Sequence, residues 1–255
     1  MFALTLALVV AGATLLAVLG LVAARRVLPR PLLERHNTVV GHGYAVLSLF
    51  TGVLLALMVV AVWERYVEAL EITEREANAL ADLFGAAAAF APPERDRLMN
   101  AIREYAFLVE TEEWPAMAEE RESARAWHAY ATIRDGYLSL VPQTEREALW
   151  LRWSIERLNE LGDERRLRLL RSRADLPTPM WVVLGILSVA TVAFSYLFGV
   201  RELHFHALVT GAIAAALALT LTLVAALQHP FGRLSGVSPE AFRELRVSFG
   251  QPPPR

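Results

Sequence analysis

The sequence predicts an all-α integral membrane protein with four transmembrane helices and a soluble helical bundle inserted between the second and the third. Three observations predict this. Apolar residues make up 55% of the 255-residue chain and charged residues 20%, and the two populations occupy different stretches instead of mixing. Four stretches, about 3–24, 43–63, 180–200 and 205–228, contain no Asp, Glu, Lys or Arg, and each has the ~20 residues that a bilayer core requires. Between the second and third stretches, apolar residues recur at helical spacing, and no alternating strand pattern competes.

The first stretch lacks a basic leader, is longer than the apolar core of a secretion signal, and ends in Arg25-Arg26. It therefore reads as a retained span. The second opens at HNTVVGHGYAVL and runs from Tyr44 to Trp63 without a charge. Gly43, Ala45, Ser48, Thr51 and Gly52 are small residues that permit close helix approach. No helix breaker separates Trp63 from Val67, so the second span should continue directly into the first soluble helix. Such a helix saves a linker, and it would also transmit movement.

Residues 1–63 thus hold two spans, and residues 64–178 form the soluble bundle. Four apolar stripes mark its helices: Val67, Leu70, Ala77, Leu80 and Phe84; Leu98, Ile102, Tyr105 and Val109; Trp127, Tyr130, Ile133 and Tyr137; Ala148, Leu151, Ile155 and Leu158. Pro92-Pro93, Pro115 and Pro142 punctuate them, since proline is tolerated in the first turn of a helix but not inside it. Residues 179–228 hold the remaining two spans. The tail, 229–255, should be mostly extended, with one short helix after Ser238-Pro239-Glu240.

Orientation follows from the arginines that flank the spans. Arg65, Arg75, Arg165, Arg166, Arg168, Arg171, Arg173, Arg233, Arg243 and Arg246 lie on the side of the bundle and both termini, against Arg25, Arg26, Arg30, Arg35 and Arg201 opposite. The bundle and both termini are therefore expected in the cytoplasm of a bacterial cell, with the chain in the inner membrane.

A search for chemistry returns little. The chain has no Cys, which excludes disulfides, thiolate metal sites and a cysteine nucleophile. Phosphate-binding, dinucleotide, nucleophile-elbow and zinc-protease motifs are absent from the sequence. No enzyme activity, cofactor or metal is expected, and a net charge of −2 gives no argument for nucleic acid. His204 and His206 lie two apart on a helix and read as interfacial residues rather than a metal pair. The acidic run Glu110, Glu112, Glu113, Glu119, Glu120 and Glu122 lacks EF-hand spacing and reads as a solvated helix face. Arg165, Arg166, Arg168, Arg171 and Arg173, just before the third span, are expected to meet anionic lipid headgroups.

HNTVVGHGYAVL, WERYVEA with EREANAL, EEWPAM and HPFGRLSGVSPEAF occur in this order. The series resembles the bacterial bestrophin-like domain family from about His36 to Arg246. Bestrophins are homopentameric anion channels with cytosolic termini, in which the second membrane segment lines an apolar neck. No counterpart of their calcium clasp is recognisable here, nor a clear series of neck aromatics. The resemblance implies an oligomer of this chain, a pentamer by analogy although a tetramer is equally compatible. That oligomer would sit in the bilayer and pass small anions such as chloride.

A hydrophobic constriction gates by dewetting, which suits an uncharged second span. Residues at i, i+4 and i+8 select Phe50, Leu54 and Met58 as the apolar rings, with Thr51 and Leu55 on the competing neighbouring face. Arg35 and His36 would favour anions at the outer mouth. The same span equally suits a plain anchor, so the alternative is a membrane-anchored interaction or sensor module without transport.

Overall fold

The computed structural model describes residues 2–232 and 236–250. Arg233, counted above for orientation, and the terminal run Pro252-Pro253-Pro254 lie outside the described residues. Among those described, every element is helical: α1 (Phe2–Val27), α2 (Arg30–Ala87), α3 (Glu94–Leu108), a π-helical turn (Val109–Glu113), α4 (Trp114–Met117), α5 (Ala124–Leu138), α6 (Glu145–Ser172), α7 (Thr178–Ser195), α8 (Leu203–Leu227) and α9 (Glu240–Ser248). The chain divides into two compact units, residues 1–64 with 175–228 and residues 65–174 with 229–255.

In the first unit, α1, α7, α8 and the leading part of α2 are each long and apolar enough to cross a membrane. Helix α2 begins at Arg30, ahead of the apolar stretch 43–63. Pro31 falls in the first turn of that helix, where its missing N–H costs nothing. Leu55, Met58 and Val62 of α2 form an apolar cluster with Leu184 and Val224. Polar ties are few, and the buried Ser48 and Ser188 hydroxyls have no hydrogen-bond partner. The Thr51 and Thr191 hydroxyls are 2.8 Å apart, so one donates to the other, and the accepting hydroxyl is left to donate to the carbonyl one turn back in its own helix.

The turn between α7 and α8 is fixed by residues of the HNTVVG stretch. Asn37 Oδ1 accepts the Gly199 N–H at 2.8 Å. A Cβ at Gly199 would lie 2.4 Å from the Glu34 backbone nitrogen, so only glycine allows this approach. His206, expected at the interface, is instead buried. Its Nε2 lies 2.8 Å from the Ser195 carbonyl and must donate to it. Nδ1 then accepts from Arg25 Nη2 at 2.9 Å.

The second unit has its own core, built from the trailing part of α2, from α3, α5 and α6, and from the segment after α8. Thr144 caps α6 by accepting the Glu147 N–H, and the Glu147 carboxylate reaches back past the cap to accept the Gln143 N–H, a variant of the capping box. Ser123 caps α5 through the Ala126 N–H. Residues 229–232 and 236–250, expected to be mostly extended, fold back into the core through Phe231, Val237, Phe242 and Phe249. The Trp114 indole donates to the Val237 carbonyl at 3.3 Å, and its ring meets Phe231 edge-on at 5.4 Å. The quoted stretches EEWPAM and HPFGRLSGVSPEAF are thus two halves of one packing contact.

Candidate functional site

Two features stand out, one in each unit. In the first, α2 packs by one face only. Thr51, Leu55, Met58 and Val62 are buried, while Val46, Leu49, Phe50, Val53, Leu57 and Val60 form a continuous exposed apolar face. The face exists because these residues recur every three or four positions, holding them within a narrow arc at ~100° per residue.

This register separates the residues proposed for a neck. Phe50 is 64% exposed and Leu54 is half-buried, but Met58 is fully buried. Eight residues turn a helix through about 800°, so the i+8 position has rotated some 80° away from Phe50. A spacing of i, i+3 and i+7 stays on the face and selects Phe50, Val53 and Leu57. Thr51 and Leu55 belong to the inner face of the protomer, where Thr51 meets Thr191 and Leu55 joins the core with Leu184. Arg35 and His36 are exposed and lie within α2 itself.

In the second unit, the arginine run of α6 is divided between interior and surface. Arg165 and Arg168 are buried, which removes them from contact with headgroups and corrects that expectation. Arg168 Nε donates to Glu76 Oε2 at 2.6 Å and its Nη2 to Glu76 Oε1 at 3.0 Å and Glu113 Oε2 at 2.7 Å. Arg165 pairs with the other Glu113 oxygen. The Tyr105 hydroxyl completes the network, donating to Glu76 Oε1 at 2.5 Å. Arg166, Arg171 and Arg173 remain at the surface, paired with Asp163, Glu68 and Glu122 respectively.

The network is electrically balanced, with two carboxylates against two guanidiniums. Burial works against the charge on Arg168, but Glu76 and Glu113 outweigh it and hold the guanidinium protonated far above the ordinary range. Burial is also the main force pushing the Tyr105 phenol up, with the Glu76 carboxylate adding to it. A phenol so held keeps its proton and acts as a donor. Nothing here pairs a nucleophile with a base, so the cluster ties α2, the π-helical turn and α6 together instead of doing chemistry.

The acidic run likewise departs from a solvated face. Glu110 and Glu113 are buried and sit in the π-helical turn, a local widening that recurs at functional sites. Glu110 accepts from Arg243 at 3.1 Å and also from Arg246, both on α9. Among the described residues, no three His, Asp or Glu side chains are grouped so as to hold a metal ion.

The network does not show in the apolar stripes of the sequence, because charged residues hold core positions in it. On α6 the buried positions are Ser154, Leu158, Leu161, Arg165, Arg168, Leu169 and Ser172; all but Leu169 follow a 4-3-4-3-4 spacing in which the arginines hold core positions. On α2, Ala69, Ile72, Glu76, Leu80 and Leu83 do the same. Charges of opposite sign at core positions of two helices were the available signal.

A family model described as Bestrophin-like domain matches residues 11–242. Solved structures of a bacterial bestrophin homolog from Klebsiella pneumoniae share the fold. One substituted form has a TM-score of 0.75 at 13% identity, covering 95% of this chain and 99% of that one. Another has a TM-score of 0.72 at 14% identity, with 94% and 97% covered. A third aligns with a TM-score of 0.69 at 15% identity, with 94% and 98% covered. No curated protein sequence matches.

Proposed function

Because this chain belongs to the Bestrophin-like domain family, we propose that it assembles into a ring of identical subunits and passes small anions such as chloride through an apolar neck lined by α2. The observation that carries the reading is the exposed face of α2, apolar from Val46 to Val60 and unpartnered within the protomer. A single protomer offers no conduit, and a ring of copies would bring these faces together around an axis. Phe50, Val53 and Leu57 would form successive apolar rings, which resist wetting and so hold conduction low until they widen. Arg35 lies on the same helical face about eleven residues before Val46, where its charge would favour anions at the mouth. By the flanking arginines, both termini and residues 64–178 face the cytoplasm of the bacterial inner membrane. Five subunits follow from the family and four are also compatible. Arg166, Arg171 and Arg173 remain available to headgroups.

The test is flux from chloride-loaded vesicles. Replacing Phe50, Val53 and Leu57 together by Ala should raise chloride efflux several-fold, and Arg35→Glu should lower the preference for anions over cations. A protein that is monomeric in both detergent and nanodiscs, or that passes no current as wild type or triple variant, ends the channel reading. The chain would then be a membrane-anchored interaction module.

A further inference from the structure

Between α5 and α6 lies a cavity of about 330 Å³, within the size range of small-ligand pockets. Its lining is unlike an ordinary solvated surface. Arg134, Arg165, Arg166 and Arg173 line it beside one carboxylate, Glu122, while Asp135, Glu113 and Asp163, which pair with the first three, stand outside the lining. Trp127 and Tyr130 supply a double aromatic wall with ring centroids 5.7 Å apart. Gly162 keeps the floor low, since a Cβ there would lie 2.3 Å from the Tyr130 hydroxyl oxygen.

Arg165 sets this pocket apart from a chance cluster of surface arginines. It is 2% exposed, and its guanidinium stands 5.1 Å from the Trp127 ring centroid. One of its terminal nitrogens is committed to Glu113, yet its Nε is buried without a hydrogen-bond partner. The Nε groups of Arg157 and Arg171 on the same helix are buried without a partner as well, so it is the burial of the Arg165 guanidinium against the Trp127 and Tyr130 rings, and not its Nε, that distinguishes the pocket. The arginines at the rim are held only loosely. Arg166 pairs with Asp163 one turn away, and Arg173 with Glu122, all four of them well exposed. Surface pairs of this kind contribute little and exchange readily for a better acceptor.

We propose that this pocket binds a small phosphorylated ligand carrying a planar ring, of the nucleoside monophosphate class. The phosphate oxygens meet Arg166 and Arg173 at the rim, where guanidinium forks match phosphate geometry. The ring stacks on the exposed side of Trp127, as flat bases do on aromatic side chains. The pocket lies wholly within the second unit, and the inference does not depend on the channel reading.

The experiment is calorimetric titration of the full chain in neutral-lipid nanodiscs with AMP, with adenosine and with inorganic phosphate. AMP should bind at one site per subunit, at least tenfold more tightly than either fragment. The double variant Arg166→Ala/Arg173→Ala should weaken AMP by roughly tenfold or more, since each lost contact is to a charged group. Trp127→Ala should reduce AMP to the level of phosphate alone. All of these side chains are largely exposed, so unchanged helicity by circular dichroism will show that the variants fold. Absence of AMP binding, equal affinity for AMP and phosphate, or unchanged affinity in the variants overturns the proposal. Loss of AMP binding in anionic-lipid nanodiscs also overturns it, by assigning the pocket to a headgroup. A changed subunit number in the arginine variant overturns it in favour of a neighbouring copy as the occupant. Each readout is binding or assembly, so a failure here is distinguishable from a failure of chloride flux.

Discussion

Replacing Arg168 by Met should be among the most damaging single changes in the second unit, although Met fills much of the same volume. Arg168 occupies three carboxylate oxygens, both of Glu76 and one of Glu113. Without it, Glu113 keeps Arg165, but Glu76 is left with only the Tyr105 hydroxyl in a site closed to solvent. Removing one partner of a buried ion pair costs about 3–5 kcal/mol, because an uncompensated charge stays inside. For a chain of this size each kcal/mol moves the melting temperature by about 2–4 °C, so the expected fall is roughly 6–20 °C.

The decisive comparison is the double variant Glu76→Gln/Arg168→Met. It removes both charges while an amide can still accept from Tyr105. It should be more stable than Arg168→Met alone, and the coupling between the two sites should reach about 1–3 kcal/mol. Thermal melting of the full chain in one detergent, followed by circular dichroism, gives all the terms of the cycle. Additive effects, or a loss below about 1 kcal/mol for Arg168→Met, would refute the claim that buried charge balance holds α2 to α6.

Three further outcomes follow from the same geometry. Gly199→Ala should destabilise the first unit more than Asn37→Ala, because a Cβ at Gly199 would lie 2.4 Å from the Glu34 backbone, whereas losing the Asn37 bond to Gly199 costs only ~1–3 kcal/mol; melting temperatures of the two variants decide it. Burial raises the folded-state pKa of both Tyr105 and Tyr137, so their contribution is complete below the ordinary tyrosine value near 10 and is lost as pH rises above it. Ultraviolet titration should accordingly show these two phenols ionising only with unfolding, and free ionisation in the folded protein would contradict the burial. Finally, Met58→Ala opens a cavity in a packed face and should cost ~2–5 kcal/mol, while Leu57→Ala, on the exposed face, should leave protomer stability nearly unchanged; the reverse order in a melting assay would show that the register of α2 is wrong.

The membrane spans were legible because twenty uncharged residues admit few other readings, and the helix running through Trp63 to Val67 was legible because nothing there breaks it. The start of α2 was not, since Glu34, Arg35 and His36 look like a polar loop although Pro31 is well placed to begin a helix. The folding back of the final segment was equally hidden. Its prolines and glycines suggest extended chain, and only the contact between Trp114 and Phe231, Val237 and Phe242 explains why those apolar residues are there. Phe50 and Met58 lie on different faces of the protomer for a geometric reason. Steps of four drift around a helix, and alternating steps of three and four do not.

The arginine run shows why charge along a sequence is a poor guide to charge in space. At ~100° per residue, Arg165 and Arg168 share one side of α6, Arg166 and Arg173 a second, and Arg171 a third. A single headgroup-facing patch was therefore never available to all five. The first pair takes core positions continuous with Leu158 and Leu161 and must find carboxylates inside, which Glu76 and Glu113 provide. The second pair lines the cavity beside Trp127, where its partners are exposed and replaceable. Only Arg171, bound to Glu68 on α2, serves neither. One helix thus uses the same residue type to balance buried charge on one face and to present displaceable charge on the next, and helical phase alone separates the two uses.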